Sequence, residues 1–352
     1  MNEIKKPVSS EAVWLYNEIT AHKFLIIIAL IFAVIISFLI DVLSGPAWLT
    51  VPEIITALIS PEKDTNYFIV WVIRLPMAIM AVFVGAALGV AGAQMQTILD
   101  NPLASPYTLG VSAAAGFGAA LAIVMGVGVL PLGIEFLVPI NAFFFSMVCC
   151  VSIYLIAWRK KGTTETLVLA GIALLFLFNA LTTMLEYVSS QEDLQAVVFW
   201  LFGSMAKATW SKAAIVGIVI LVVLPFFLKD AWKLTAIRLG DTKAKSLGIH
   251  VEKLRIKTLI LVSFLTSIAV CFVGIIGFIG LVAPHISRML VGEDQRYYLP
   301  ASLLSGALLL SASSIVSKLV IPGAIFPIGI ATSCIGVPFF LYLILRRRSE
   351  FW

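Results

Sequence analysis

Residues 24–43, FLIIIALIFAVIISFLIDVL, are almost entirely apolar, and runs of this kind decide the fold class. A helix of about 20 apolar residues spans the roughly 30 Å hydrocarbon core of a bilayer. The whole chain is 61% hydrophobic and 12% charged, with a mean hydropathy of +1.06, whereas an ordinary soluble domain is about half apolar and about one-quarter charged. Because the runs are continuous rather than alternating, they predict an all-α, polytopic membrane protein and not a β-barrel.

Ten apolar segments follow one another along the chain. They predict a single transmembrane domain at residues 24–345, with a cytoplasmic leader at 1–23 and a basic cytoplasmic tail at 346–352. One segment, 283–291, is too short to span a bilayer alone. The ten segments lie at 24–43, 68–97, 108–128, 134–158, 166–188, 212–228, 258–281, 283–291, 298–318 and 327–345.

The basic residues predict the orientation, because Lys and Arg are retained on the cytoplasmic side of a membrane. With the N-terminus inside, all but five of the 24 basic residues fall on the inner side, which also places the C-terminus inside and explains the net charge of +5 without nucleic-acid binding. The longest polar excursion, residues 229–257, then faces the cytoplasm and is the expected docking place for a cytoplasmic partner. The five exceptions are Lys63, Arg74, Lys207, Lys212 and Lys318.

Two glycine-rich runs, each ending before a proline-containing break, suggest an internal repeat. In the predicted topology they cross the membrane in opposite directions, as in transporters built from inverted repeats with broken helices. Small residues at this spacing also serve ordinary helix packing, so both readings stay open. The glycines are Gly85, Gly89 and Gly92 in the first run and Gly274, Gly277 and Gly280 in the second.

Several catalytic motifs are absent from the sequence. It contains no G-x-x-x-x-G-K-[ST], H-E-x-x-H or G-x-S-x-G, so we expect no ATP hydrolysis, metalloprotease or serine hydrolase activity in this chain. The four cysteines lie in apolar runs without metal-ligand spacing, and no cofactor is predicted. The spans carry few ionisable residues, and Arg74 and Lys318 near outer ends read as interfacial anchors. An ion-coupled carrier is the alternative class. It would need a buried carboxylate near the midplane, which the spans do not supply.

The cytoplasmic excursion contains a helix-turn-helix element, LTAIRLGDTKAKSLGIHV at residues 234–251, which we call the knuckle. Gly240 can adopt the left-handed conformation that ends a helix, and Asp241 is a good N-cap for a short helix at 242–247 that Gly248 stops. A short exposed helix with apolar anchors fits a groove in another protein. The expected anchors are Leu239, Ala244, Leu247 and Ile249.

A second polar interruption, GAQMQTILDNPLASPYTLG, occupies residues 92–110. Pro102 has no backbone N–H and restricts the residue before it, so it is expected to stop the second span sharply at its inner end. The residues by themselves favour a purely structural turn.

Ordered motifs along the chain resemble the signature of the FecCD/BtuC-type family of ABC importer permeases, which serve iron-siderophores, haem and cobalamin. The resemblance runs from about residue 68 to 345. The motifs are RLP (74–76), VGAAL (84–88), NPLASP (101–106), LGD (239–241), GFIGLVAPH (277–285), LP (299–300), PIG (327–329) and GVP (336–338).

This resemblance implies ten helices per subunit, two permease subunits around a central pathway, two separate ATPase subunits and a substrate-binding protein that is periplasmic or a lipoprotein. The chain would be a non-catalytic subunit of the bacterial inner membrane. The knuckle would be the element that the ATPase receives. Its coupling residues would be Leu239, Gly240, Asp241, Ala244, Leu247 and Gly248.

The resemblance also implies a cytoplasmic gate and an outer docking surface. Arg74 and Lys318 would attract acidic residues of the binding protein. The chain departs from the family pattern at Met77, Ser314 and Ile325, where charged residues are common, so docking is expected to use fewer charges. The gate would consist of Asn101, Leu103, Thr164 and Glu165.

The sequence thus predicts the permease subunit of an ATP-driven importer that works by alternating access. A ferric siderophore is the expected substrate, with haem, cobalamin or an oxyanion as alternatives for the same machinery. The pairing of permease subunits, identical or merely related, stays open.

Overall fold

The computed structural model describes residues 10–59, 64–130, 134–159 and 163–345. Within these ranges the chain forms fourteen helices and no strand, which confirms the all-α prediction. The helices are α1 (Ser10–Leu43), α2 (Val51–Ile59), α3 (Thr65–Ile98), α4 (Val111–Met125), α5 (Ile134–Arg159), α6 (Thr164–Val188), α7 (Gln191–Leu201), α8 (Trp210–Lys229), α9 (Ala231–Ile237), α10 (Asp241–Ser246), α11 (Val251–Val273), α12 (Ile279–Val291), α13 (Gln295–Leu319) and α14 (Ile328–Leu345).

Ten of these helices correspond to the ten predicted segments. In the described part of the chain, seven helices are long and apolar enough to cross a membrane, and α4, α12 and α14 are shorter apolar helices. The predicted leader is not separate from the first span, because residues 10–23 already belong to α1. The rest of the leader, residues 1–9, and the basic tail, residues 346–352, lie outside the described residues.

Helix α3 lies at the centre of the bundle and packs against α8, α11, α12 and α13. Every residue from Val84 to Leu99 is buried. A wide π-helical turn at Phe68–Arg74 precedes Pro76, whose ring cannot fit a regular helical turn. The close packing around α3 depends on small residues, since a Cβ atom on Gly85 would overlap Gly306 and one on Gly92 would overlap the Gly280 carbonyl.

The predicted segment 258–281 is wrong as a single helix. Helix α11 ends at Val273, and the backbone turns through positive φ angles at Gly274 (77°) and Phe278 (64°) before α12 begins at Ile279. These angles are incompatible with a continuing right-handed helix. Hydropathy does not register the break, because the turning residues are as apolar as their neighbours. The predicted inverted repeat stays a prediction.

The helix ends fall into two groups at opposite ends of the bundle. We name them after the predicted orientation. The inner end carries residues 98–110, 230–250 and 291–296, which contact one another through Arg238, Asp100 and Glu293. The outer end carries the α1–α2 loop and the loops at 126–130 and 202–209. All the predicted coupling and gate residues lie at the inner end, and both predicted docking residues lie at the outer end.

Replacing Gly92 by Ala is expected to destabilise the protein, because the added methyl group overlaps the Gly280 carbonyl and forces α3 and α12 apart. Overpacking of this kind costs about 1–3 kcal/mol, which thermal unfolding of the purified protein in detergent will report as a lower midpoint. Gly277→Ala is the matched control, since a Cβ atom there meets nothing within 4 Å. Equal midpoints for the two variants would contradict the close crossing.

Candidate functional site

The knuckle consists of helices α9 and α10 joined by a tight turn at Gly240. Gly240 has φ 95° and ψ 152°, a conformation that residues with a Cβ atom rarely adopt. Gly248, at φ 80°, ends the second helix in a Schellman motif: the Ile249 N–H donates to the Ala244 carbonyl at 3.1 Å and the Gly248 N–H donates to the Lys245 carbonyl at 2.9 Å. The predicted helix-turn-helix therefore has two glycine turns that fix its shape.

Only two of the four predicted anchors are presented at the surface. Leu239 is 57% exposed and Leu247 is 50% exposed, whereas Ala244 and Ile249 are buried in the core. The prediction was wrong for Ala244 and Ile249 because the Schellman motif folds Ile249 back under the helix, and this motif usually buries an apolar contact. An approaching partner would therefore meet the two leucines.

Asp230 fixes the base of the knuckle at the junction of α8 and α9. Its buried carboxylate accepts hydrogen bonds from Lys233 at 2.8 Å and from Lys257 at 2.5 Å. Burial raises the pKa of Asp230, but the hydrogen bonds and charges of the two lysines outweigh burial and hold this pKa below its usual value. The carboxylate is therefore ionised at neutral pH and ties α9 to the start of α11.

Asp241 does not cap α10 as predicted. It is the first residue of the helix, and its side chain makes no capping bond. Instead, its carboxylate accepts two hydrogen bonds, both 2.8 Å, from Nη1 and Nη2 of Arg255 at the start of α11. Two N–H groups of a guanidinium match the two oxygens of a carboxylate. The Asp241 carboxylate therefore binds Arg255 instead of the backbone N–H groups at the start of α10. Arg255 was not singled out from the sequence, where it is one of eight cations in residues 229–257.

The gate turn, residues 99–103, follows the inner end of α3. The helix ends at Ile98, close to the end of the predicted segment, but Pro102 is not the cause: Asp100 adopts the left-handed conformation (φ 46°), and the Asn101 N–H donates to the Gln96 carbonyl at 3.2 Å in a second Schellman motif. The Asn101 side chain accepts the Leu103 N–H at 2.8 Å, and Leu103 is 45% exposed. Pro102 therefore lies within the turn rather than ending the helix.

Thr164 and Glu165 lie in the first turn of α6. The helix is capped by Thr163, whose hydroxyl accepts from the Thr166 N–H at 3.4 Å. Glu165 is exposed and lies close enough to Arg255 and Asp241 for a charge interaction with both. Arg255 also donates to the Ile98 carbonyl just before the gate turn, at 2.8 Å, so it joins the knuckle to the gate turn, and Glu165 at the start of α6 interacts with this pair through its charge.

Arg238 makes a second connection between the knuckle and the gate turn. Its guanidinium donates to both carboxylate oxygens of Glu293, with Nε at 3.2 Å from Oε2, and to the Asp100 carboxylate. Burial alone would lower the pKa of Arg238, but Glu293, together with Asp100, raises this pKa above its ordinary value. Arg238 therefore keeps its charge.

Two buried glutamines, Gln94 and Gln96, lie in the inner half of α3, just before the gate turn. Gln94 donates to Gln295 at 2.9 Å, and Gln295 donates to Thr97 at 2.8 Å, which links α3 to α13. Gln96 donates to the Leu281 carbonyl at 3.2 Å and accepts from Arg288 at 3.1 Å. These polar residues in an apolar helix explain how the inner half of α3 is fixed to its neighbours.

At the outer end, Arg74 is buried rather than exposed. Its guanidinium donates to the carbonyls of Val42 (3.2 Å), Leu43 (2.8 Å) and Ala47 (2.5 Å). Val42 and Leu43 are the last residues of α1, where carbonyls lack partners within the helix, so Arg74 caps α1. Gly45 passes directly over the guanidinium.

Lys318 is also buried, in an ion pair with Asp41. Its Nζ lies 2.8 Å from Asp41 Oδ1 and 3.0 Å from the Asp41 carbonyl oxygen, and Ser314 donates to the same carboxylate at 3.0 Å. The side chain of Lys318 is 2% exposed and that of Asp41 is 0% exposed. Asp41 was overlooked in the sequence, although an ionisable residue inside an apolar run is the signal that would have found it.

The prediction that Arg74 and Lys318 form an outer docking surface is therefore wrong for this structure. Both cations face inward onto partners within the chain, and together with Met77 and Ile325 they line a small cavity of about 80 Å³. The residues that depart from the family pattern, Met77 and Ser314, are buried beside them. These two cations hold α1, α3 and α13 together.

The chain is similar to known proteins in both sequence and fold. A sequence profile of the FecCD transport family matches residues 30–346. The chain belongs to this family. An ABC transporter permease protein of Methanocaldococcus jannaschii is 38% identical over 342 residues, which cover 95% of this chain and 98% of that protein. The hemin transport system permease HmuU of Yersinia pestis is 38% identical over 282 residues, 80% of this chain and 84% of that protein.

A solved structure of the same kind supports the fold of this FecCD family member. An inward-facing metal-chelate-type ABC transporter matches with a TM-score of 0.82 and 31% identity, over 92% of this chain and 99% of that one. The protein is thus an ABC importer permease of the FecCD/BtuC type and a multi-pass membrane protein.

The buried ion pair predicts strong energetic coupling between Lys318 and Asp41. Lys318→Met is expected to lower the free energy of unfolding by about 3–5 kcal/mol, because it leaves an uncompensated carboxylate in the interior. Adding Asp41→Asn removes that charge, so the double variant should be more stable than Lys318→Met alone. Unfolding midpoints of the single and double variants in one detergent measure the coupling. Simple additivity of the two losses would mean that the pair does not form.

Proposed function

We propose that this FecCD family chain is the membrane-spanning subunit of an ATP-driven importer for ferric siderophores, located in the bacterial inner membrane with both termini in the cytoplasm. The observation that carries the proposal is the knuckle, which projects Leu239 and Leu247 at the inner end beside the gate turn. Because the sequence has no Walker motif, the energy would come from two separate ATPase subunits that receive the knuckles.

Transport would follow alternating access between two permease subunits. Closure of the ATPase pair on ATP would move the knuckles, and the permeases would rock between outward and inward openings. The gate formed by Asn101, Leu103, Thr164 and Glu165 would open and close the inner mouth. Support comes from two observations: Arg255, which pairs with Asp241, also bonds to the Ile98 carbonyl just before the gate turn, and Glu165 interacts with this pair through its charge.

A periplasmic or lipoprotein binding protein would deliver the substrate at the outer end. Since Arg74 and Lys318 are turned inward, docking would depend on other surface groups, among them the exposed Lys207. An importer of this design needs little affinity for the substrate in its pathway, because the binding protein captures it.

The proposed substrate class is a metal ion enclosed by a large organic ligand. The similar solved structure is described as metal-chelate-type, and a ferric siderophore belongs to that chemical class. Haem is the second candidate, favoured by the relative that is named as a hemin permease. Cobalamin and oxyanions are the remaining alternatives.

A secondary carrier driven by ions would need a carboxylate that can gain and lose a cation near the midplane. Asp41 is a buried carboxylate, but it lies two residues from the end of α1 and is already neutralised by Lys318. A paired group at the outer end does not meet that requirement, so the ATP-driven reading is favoured.

Purification of the tagged chain from its native membranes in a mild detergent tests the proposal. We expect a Walker-type ATPase to co-purify at one copy per permease, measured by quantitative mass spectrometry. Proteoliposomes made from this complex and its binding protein should take up ⁵⁵Fe-siderophore in an ATP-dependent manner. Haemin, cobalamin and molybdate are tested in parallel, and uptake of one of these instead would correct the substrate. Absence of any ATPase partner would overturn the importer assignment.

Leu247→Ser is expected to weaken binding of the ATPase subunit while leaving the permease folded, because this side chain is exposed in the knuckle. Leu130→Ser is the matched control: Leu130 is also 50% exposed but lies in a loop at the outer end. The measurement is the amount of ATPase retained per permease after gel filtration. Equal retention by the two variants would remove Leu247 from the proposed interface.

A further inference from the structure

Arg255 connects three elements of the inner end through one guanidinium group. Nη1 and Nη2 hold the Asp241 carboxylate of α10, each at 2.8 Å, and Nε donates to the Ile98 carbonyl at the inner end of α3, also at 2.8 Å. Glu165 of α6 lies within reach of its charge. The side chain is only 7% exposed.

The bond to Ile98 reaches the helix end that leads into the gate turn. Ile98 is the last residue of α3, and the last carbonyls of a helix have no partner within it. Arg255 supplies that partner. A displacement of α10 that pulls on Asp241 therefore also pulls on the carbonyl that precedes the gate turn.

The planar guanidinium makes this link specific. Its N–H groups point in fixed directions, so it can hold a carboxylate with two bonds and a carbonyl with a third. A lysine at the same position would keep the positive charge but could not hold both partners in this geometry. Charge and connection can therefore be separated experimentally.

Arg238 holds the other side of the gate turn. It follows α9 and bonds to the carboxylate of Asp100, the residue in the left-handed conformation just before Asn101. The two arginines thus lie on either side of α10 in sequence and bond to Ile98 and Asp100, the residues that flank Leu99.

We propose that Arg255 is a positioning residue that transmits movement of the knuckle to the gate turn by a direct side-chain connection. The proposal rests on the proposed function, since it presupposes that the knuckle is moved by an ATPase. Movement of the knuckle would then reach the gate turn within the inner end of the bundle. No change in packing along the whole length of the spans would be needed.

The test measures the accessibility of the gate turn in the complex of permease and ATPase. Leu103→Cys is introduced in a Cys334→Ser background, because Cys334 is the exposed native thiol while Cys149, Cys150 and Cys271 are buried. The rate of maleimide labelling at position 103 is compared without nucleotide and after trapping with ATP and vanadate.

We expect the parent complex to change its labelling rate on trapping, and Arg255→Lys to reduce that change by at least fivefold, the lower end of usual coupling between sites. Asp241→Asn is the second variant and should reduce the change in labelling rate to the same extent. Because the two residues act as one pair, the double variant should reduce this change no further than either single variant. Co-purified ATPase confirms assembly in every case.

Glu252→Gln is the matched control, because Glu252 pairs with Lys245 at 2.6 Å and also joins α10 to α11, but at an exposed position. It should respond as the parent does. An Arg255→Lys complex with a full response would overturn the proposal and leave the proposed function intact. A parent complex with no response would overturn the gate assignment, and the proposal with it.

Discussion

Unpaired carbonyl groups at helix ends are the constraint on which this structure depends. Where such a group is shielded from water in a membrane protein, it must find a partner within the protein, since lipid offers none. Here α1 obtains its partners from Arg74 and α3 obtains one from Arg255. Residues in the left-handed conformation also close helix ends: Asp100 closes α3, next to the Arg255 bond, and Gly248 closes α10. Arg74 and Arg255 are therefore placed where helices stop, and each connects one helix to a neighbour.

The ion pairs at the two ends of the bundle differ in their exposure to solvent. At the outer end the Asp41–Lys318 pair is almost fully enclosed, and breaking such a pair is costly. At the inner end the acidic partners remain partly in solvent, with side chains of Asp241 and Glu293 that are 43% and 42% exposed. Exposed ion pairs are weak and are exchanged easily. The fold is thus rigid at the outer ends of α1 and α13 and adjustable around the gate turn.

Much of the fold could be predicted from the sequence, because hydropathy alone marks the spans and glycine marks the turns of the knuckle. The break between α11 and α12 was placed too late in the chain, after residue 281 instead of at 274–278, because most of the residues that form it are apolar. The roles of Arg74 and Lys318 were misassigned for a different reason. A cation near a span end looks the same whether it faces water or a carboxylate 277 residues away, and only the packing of α1 on α13 decides between them.

Similarly, the residue pattern indicated the knuckle and the resemblance indicated the gate, each as a separate element, whereas nothing in the sequence pointed to Arg255 among the eight cations of residues 229–257. Nothing local distinguishes it from Lys253 or Lys257. Its importance comes from its contacts with Ile98 and Asp241. The distance between residues along the sequence does not predict these contacts. Sequence patterns therefore indicated which elements matter, and the structure was needed to find what joins them.

The long sequence separation of Asp41 and Lys318 also has a consequence for how the protein is made. At a synthesis rate of about 5–20 residues per second, roughly 15 to 55 s pass between translation of the carboxylate and of its lysine. During that time α1 is inserted with an unpaired acid. Because Asp41 is only two residues from the end of α1, the acid can wait at the level of the lipid headgroups, and arrival of α13 then draws it inward. The ion pair that fixes α1 to α13 can therefore form only after the ninth span has been synthesised.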